Sequence, residues 1–147
     1  MGKNEKTTLA TPLFPNSLET PFIITSPEAR KYNCIGWALE SDLEWWEPDY
    51  ENGVWFEDVD NERTIKNVEI VFQKFGFKVC EDETLEKGFL KIAVFSTDEI
   101  HFNHVARQLE SGNWTSKIGV SFDVEHSLES MENGIYGNVV LFMKKKI

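Results

Sequence analysis

Two side chains in this sequence have the chemistry to form and break a covalent bond together. Cys34 sits in the segment Tyr32-Asn33-Cys34-Ile35-Gly36-Trp37-Ala38, and His104 opens His104-Val105-Ala106 about 70 residues downstream. A thiol becomes a strong nucleophile when nearby N–H groups or positive charge stabilise its thiolate, and an adjacent imidazole can take its proton. Residues this far apart meet only if the fold brings them together. The second cysteine, Cys80, is followed by Glu81, Asp82 and Glu83, and acidic neighbours raise a thiol pKa. His101 and His104 are three apart on an expected strand and face opposite sides, so they do not share a metal. Cys34, His104, Asp123 and His126 lack the tight ligand spacing of a zinc site. No metal or other cofactor is expected. The plain alternatives are a Cys34 that is only a small interior residue and a His104 that only bonds to backbone.

These residues need elements to hold them. Residues 1–25, with Pro12, Pro15 and Pro21, read as an extended arm whose Leu13, Phe14, Phe22, Ile23 and Ile24 lie on the domain, and residues 26–147 read as one domain. Ser26-Pro27 is the expected start of a helix running through Cys34 to about Leu39, with Ser26 as its cap. Residues 41–60 read as a loop that mixes Trp45, Trp46 and Trp55 with Glu44, Glu47, Asp49, Glu51, Glu57, Asp58 and Asp60, and with Asn52 and Gly53 at a turn. Its tryptophans cover the core edge or line a groove. Ile65, Val68, Val71, Phe72 and Phe75 recur at helical spacing, and Gly76 stands where that helix should stop. Strands are expected over 77–80, 88–95, 101–109, 114–118 and 136–143, with Ser111-Gly112-Asn113 closing a hairpin behind the histidine strand. Residues 123–131 read as a short helix, with Asp123 at its first turn. Helices first and a hairpin-linked sheet afterwards indicate an α+β domain.

Composition narrows the function. The 147 residues carry a net charge of −10, from 25 acidic and 15 basic side chains, which argues against nucleic acid or an anionic membrane as partner. The one basic run, Lys144-Lys145-Lys146, reads as a solvated end. No apolar run approaches the ~20 residues of a membrane span. The first ten residues are polar, so no signal peptide is expected. Cytoplasmic residence with reduced thiols follows as the expectation.

The nucleophile and histidine segments resemble the papain-like cysteine hydrolases of the NlpC/P60 type. Those proteins place a cysteine at the start of a helix, a histidine at the opening of a core strand and a third polar residue on the next strand. The resemblance covers roughly residues 32–39 and 101–118. It implies a papain-like α+β fold with N-terminal helices packed on a mainly antiparallel sheet. It also implies Cys34 as nucleophile, His104 as base and, by counting along the hairpin, Ser116 as the third residue. Asn33-Cys34-Ile35-Gly36 departs from the family's Asp-Cys-Ser-Gly pattern, and serine is a poor orienter of an imidazole. Asn103, Gln108, Asp123 and His126 are the substitutes. Tyr-Asn-Cys-Ile-x-Trp-Ala also resembles a motif of small bacterial proteins to which no function attaches.

Two functions follow as expectations. One is a cysteine-dependent hydrolase or acyltransferase acting on a small peptide-like or acyl substrate. Its Asn33 or Tyr32 side chain would help hold the oxyanion, with Trp37, Trp45 and Trp46 shaping the groove. The other is a catalytically inert acidic domain that captures a basic protein partner.

Overall fold

The structure is a computed structural model that describes residues 7–49 and 53–147. Tyr50, Glu51 and Asn52, part of the acidic tryptophan loop, and the first six residues of the arm lie outside the described residues.

The strand β4 (Phe89–Ser96) explains the architecture. Its central residues from Lys91 to Ser96 are all buried, so neither face meets water. Ile92 and Val94 point to one core, while Ala93 and Phe95 point to a second. That two-sided burial is why the segment reads as a nearly unbroken apolar run. An eight-stranded sheet surrounds it, in the order β1-β2-β7-β6-β5-β4-β8-β3, with every neighbouring pair antiparallel. The other strands are β1 (Thr8–Leu9), β2 (Phe22–Ile24), β3 (Lys78–Cys80), β5 (His104–Gln108), β6 (Trp114–Lys117), β7 (Asp123–His126) and β8 (Asn138–Lys146).

The helices α1 (Cys34–Ala38), α2 (Ile65–Lys74) and α3 (Leu128–Met131) have five, ten and four residues. This overturns the expected papain-like α+β fold of helices packed on a sheet, because the domain is mostly antiparallel sheet. Two local misreadings account for the difference. The first helix does not begin at Ser26. The hydroxyl of Ser26 instead accepts from the backbone N–H of Asp123, and Asn33 caps a helix that starts only at Cys34. Residues 123–131 are not one helix. Val124, Leu128 and Met131 have helical spacing, but Asp123–His126 is a strand, and Ser127 caps a single turn after it. The arm also differs in character. Its residues 8–24 add β1, a 3-10 turn at Pro15–Leu18 and β2 to the sheet, with β2 paired to β7.

The first core lies between the sheet and α1, α2 and the tryptophan loop, with Ile35, Trp46, Val68, Phe72 and Val105 in it. The second lies on the opposite face and joins Phe14, Phe22, Phe95, Trp114, Val124 and Met131. Strands β5 and β6 are paired only near their shared turn, at Arg107↔Thr115 and Gln108↔Trp114. Toward His104 they have no further ladder pairs, and α1 packs beside that opening.

Gly36 shows how tightly α1 is fitted. A Cβ there would run into the backbone carbonyl of Glu44, which cannot swing away as a flexible side chain can. Replacing Gly36 by Ala is expected to lower stability by about 1–3 kcal/mol. A denaturant titration checks it, and an unchanged midpoint would show that the loop yields freely.

Candidate functional site

Asn33 fixes the start of α1. Its Oδ1 accepts from the N–H of Gly36 (3.1 Å) and from the N–H of Trp46 (3.0 Å), and its Nδ2 donates to the Trp46 carbonyl (2.6 Å). The whole carboxamide is thereby committed to backbone. Asn33 therefore caps the helix and pins a loop, and it is not the substrate or oxyanion donor that the sequence suggested. Tyr32 is committed as well, since its hydroxyl donates to the Asp123 carboxylate at 2.9 Å. Burial raises that phenol to about 12, and the hydrogen-bonded Asp123 charge adds to the shift.

Cys34 follows as the first helical residue, half-buried and unpaired with Cys80. Burial pushes its thiol pKa up; backbone N–H groups of Val105 and Ile35 and the charge of Arg63 pull the other way. Val105 is the residue joined to His104, and it lies on the part of β5 that has no β6 partner. The short helix α1 thus brings Cys34 to β5 beside the opening, where the thiol packs against the first core while the His104 ring lies with Phe95 on the second. Cys80 is also raised, first by burial; the charges of Lys91 and Lys144 pull it down by more than Glu86 and Asp82 push it up. Burial, more than the acidic run after it, sets its pKa.

His104 is 1% exposed. Its ring stacks on Tyr136 with centroids 4.2 Å apart and planes 3° apart, and it touches Phe95. Its Nε2 lies 2.8 Å from the hydroxyl of Ser116. That hydroxyl lies 2.6 Å from Nε2 of His126, whose Nδ1 lies 2.7 Å from the carbonyl of Ser127. Nδ1 of His104 is buried and has no hydrogen-bond partner among the described residues. Burial raises the phenol of Tyr136, the residue stacked on this ring, and an ionised Cys34 would add to the shift. Burial drives the His104 pKa well below its ordinary range, with His126 adding to the effect. Burial likewise brings His126 down to about 4, against the opposing hydrogen bond to Ser127.

Ser116 therefore stands where the count along the hairpin placed it, in contact with His104. The register explains how His126 joins them: Ser116 pairs with Val124 and Trp114 with His126, so Ser116 and His126 are diagonal neighbours on one face. The other substitutes are engaged elsewhere. Asn103 accepts from the N–H of Thr97, Gln108 donates to the Glu83 carbonyl, and Asp123 holds Tyr32.

The expected groove residues separate. Trp46 is 5% exposed and packs among Phe56 and Phe75, so it belongs to the core. Trp45 is half-buried and donates to Glu47. Trp37 stays beside the site. Its Nε1 donates to Thr115, Tyr32 packs at 5.5 Å, and the Arg107 guanidinium lies 4.8 Å from its ring. Lys117, fully buried, donates to the carbonyls of Ala29 and Gly119 and faces the Tyr32 ring. This polar seam holds the approach to α1 against β5, β6 and β7. Nothing in the local pattern marks Arg107, and β6 is buried at all four of its residues, so no alternation sets Lys117 apart.

An antiparallel-sheet domain with a thiol beside the histidine strand and two serine-linked imidazoles behind it is the class these features define. The chain belongs to the family described as Domain of unknown function (DUF7689), which matches residues 23–144. That placement corrects the labels papain-like, NlpC/P60 and cysteine hydrolase, none of which the matched family carries. No curated protein and no solved structure matches the chain. Among the described residues, no helix is long and apolar enough to cross a membrane.

The two buried imidazoles set a pH dependence. Their folded pKa values lie below the ordinary 6.5, so under acidification the unfolded chain takes up protons that the folded chain refuses. Stability is present above pH 6.5 and is lost as the pH falls from there toward 4. For His126 the expected loss is roughly 2 kcal/mol by pH 5, and His104 adds to it in the same direction. Urea titrations at pH 7, 6 and 5 measure it, and a flat profile would contradict neutral, buried rings.

Proposed function

We propose that this domain carries out cysteine-dependent acyl transfer, opening an amide or ester and passing the acyl group to water or to another acceptor. One observation carries the reading: a buried imidazole with an unpartnered Nδ1 on the strand against which α1, headed by Cys34, packs. A neutral thiol and a neutral imidazole are a competent pair, because the proton need move only as the new bond forms. The Cys34 Sγ attacks the carbonyl carbon while its proton passes to Nδ1 of His104. The tetrahedral oxyanion collapses, the C–N or C–O bond breaks, and the leaving group takes the proton from Nδ1. Water or a second acceptor then cleaves the thioester and restores the thiol. With Asn33 and Tyr32 committed, the Cys34 backbone N–H is what remains of the expected oxyanion donors. Trp37, with Arg107 over its ring, shapes the approach. A small peptide-like or acyl substrate fits this reading, and cytoplasmic residence suits two free thiols.

A second reading, capture of a basic protein partner, draws support from one surface feature. A groove of about 580 Å³ is lined by Asp58, Asp60, Glu62 and Glu99 over Ile65 and Ile70, in a chain of net charge −10.

Treatment with a small activated ester at neutral pH, followed by intact mass and peptide mapping, separates the two. The expected result is a single acyl adduct on Cys34 and none on Cys80, with His104→Ala slowing it about a hundredfold. A Cys34 that reacts no faster than Cys80 removes the acyl-transfer reading and leaves the binding one.

A further inference from the structure

We propose that His126, acting through the Ser116 hydroxyl, is a positioning residue that holds His104 with its proton on Nε2 and its lone pair on Nδ1. The purpose of this device rests on the acyl-transfer reading, but the geometry that produces it does not. The deduction starts at the far end of the chain of contacts. The Ser127 carbonyl can only accept, and it already takes the Ser130 hydroxyl, so the 2.7 Å contact requires the proton of His126 on Nδ1. A neutral ring then has a bare Nε2. At 2.6 Å from the Ser116 oxygen, that nitrogen must accept, so the single hydroxyl proton of Ser116 points to it. The Met131 sulfur, 3.9 Å from the same oxygen, is the weaker acceptor. Having given its proton to His126, Ser116 has only lone pairs left for His104, 2.8 Å away. His104 must therefore donate from Nε2, and its Nδ1 is left as a free lone pair. That is the nitrogen for which the structure provides no partner.

Both rings are suited to neutrality. Each is at least 98% buried, among Phe22, Phe95, Tyr136, Ser116 and Met131, and neither meets a carboxylate among the described residues. Serine alone would be indifferent, since a hydroxyl can donate to or accept from either imidazole nitrogen. His126 removes that freedom. A base that must accept a proton at Nδ1 is useful only in the Nε2–H form, so the relay supplies a pre-set acceptor instead of a mixture.

The chain has three histidines, so ¹⁵N-histidine spectra can be assigned by substitution, and long-range ¹⁵N–¹H correlation identifies which ring nitrogen carries the proton. The expected wild-type result is Nε2–H for His104 and Nδ1–H for His126, unchanged in Cys34→Ala. In His126→Phe the freed Ser116 hydroxyl can donate to His104 as well as accept from it, so His104 should show both tautomers, with acylation of Cys34 falling severalfold. Ser116→Ala, a smaller change, should leave His104 in both forms. A wild-type His104 protonated on Nδ1, or a His104 tautomer indifferent to both substitutions, overturns the relay. The two readings fail separately. A correct tautomer with an inert Cys34 defeats acyl transfer alone, and a reactive Cys34 with the wrong tautomer defeats the relay alone.

Discussion

The carboxamide of Asn33 is the interaction on which the rest of the site depends. Its three hydrogen bonds tie together two segments that share the first core: the first turn of α1 and the backbone of Trp46. A buried amide of this kind must have partners, because an unmade hydrogen bond in a dry interior costs about 1–3 kcal/mol. Satisfying it fixes where the helix starts, and so where Cys34 stands. It also folds the tryptophan loop over the first core, where Trp46 closes against Phe56 and Phe75. With that loop in place, Glu44 backs directly onto Gly36, which leaves the third residue of Cys34-Ile35-Gly36 no room for a side chain.

A comparable economy of polar groups shapes the opposite face. His104, Ser116 and His126 occupy positions that an apolar sheet would fill with aliphatic residues, and each finds its partner in the next strand or in the turn after it. The arrangement depends on β5 and β6 parting company after two ladder pairs. A longer ladder would close the opening beside which α1 packs on β5 and β6.

Much of this was legible in the residues. The run from 88 to 95, the hairpin around Gly112 and the helical spacing from Ile65 to Phe75 each carry a strong periodic or turn signal, and each is present as an element. Counting along the hairpin found Ser116 beside His104. The failures have physical causes. Two residues, Ser26 and Asn33, can both cap a helix, and only the register of β7 decides that Ser26 is spent on Asp123. Val124, Leu128 and Met131 are spaced like a helical face because a strand and a following turn happen to present them to the same core. His126 was one candidate among four, since a diagonal contact across two strands depends on pairing that no local pattern encodes.

The sheet does not close on itself, and its two outer strands bear on how the domain behaves in a crowded solution. β1 has two residues and β3 three, the latter beginning with an exposed lysine and followed by exposed acidic residues. An open sheet invites another chain to add a strand, and the invitation grows with the length and flatness of the unpaired edge. Here the long, apolar strands are kept inside the order, and its two edges among the described residues are β1 and β3, of two and three residues. Among the described residues, β4, whose exposed edge would be the strongest template for a neighbouring chain, has a partner strand on each side and so offers none.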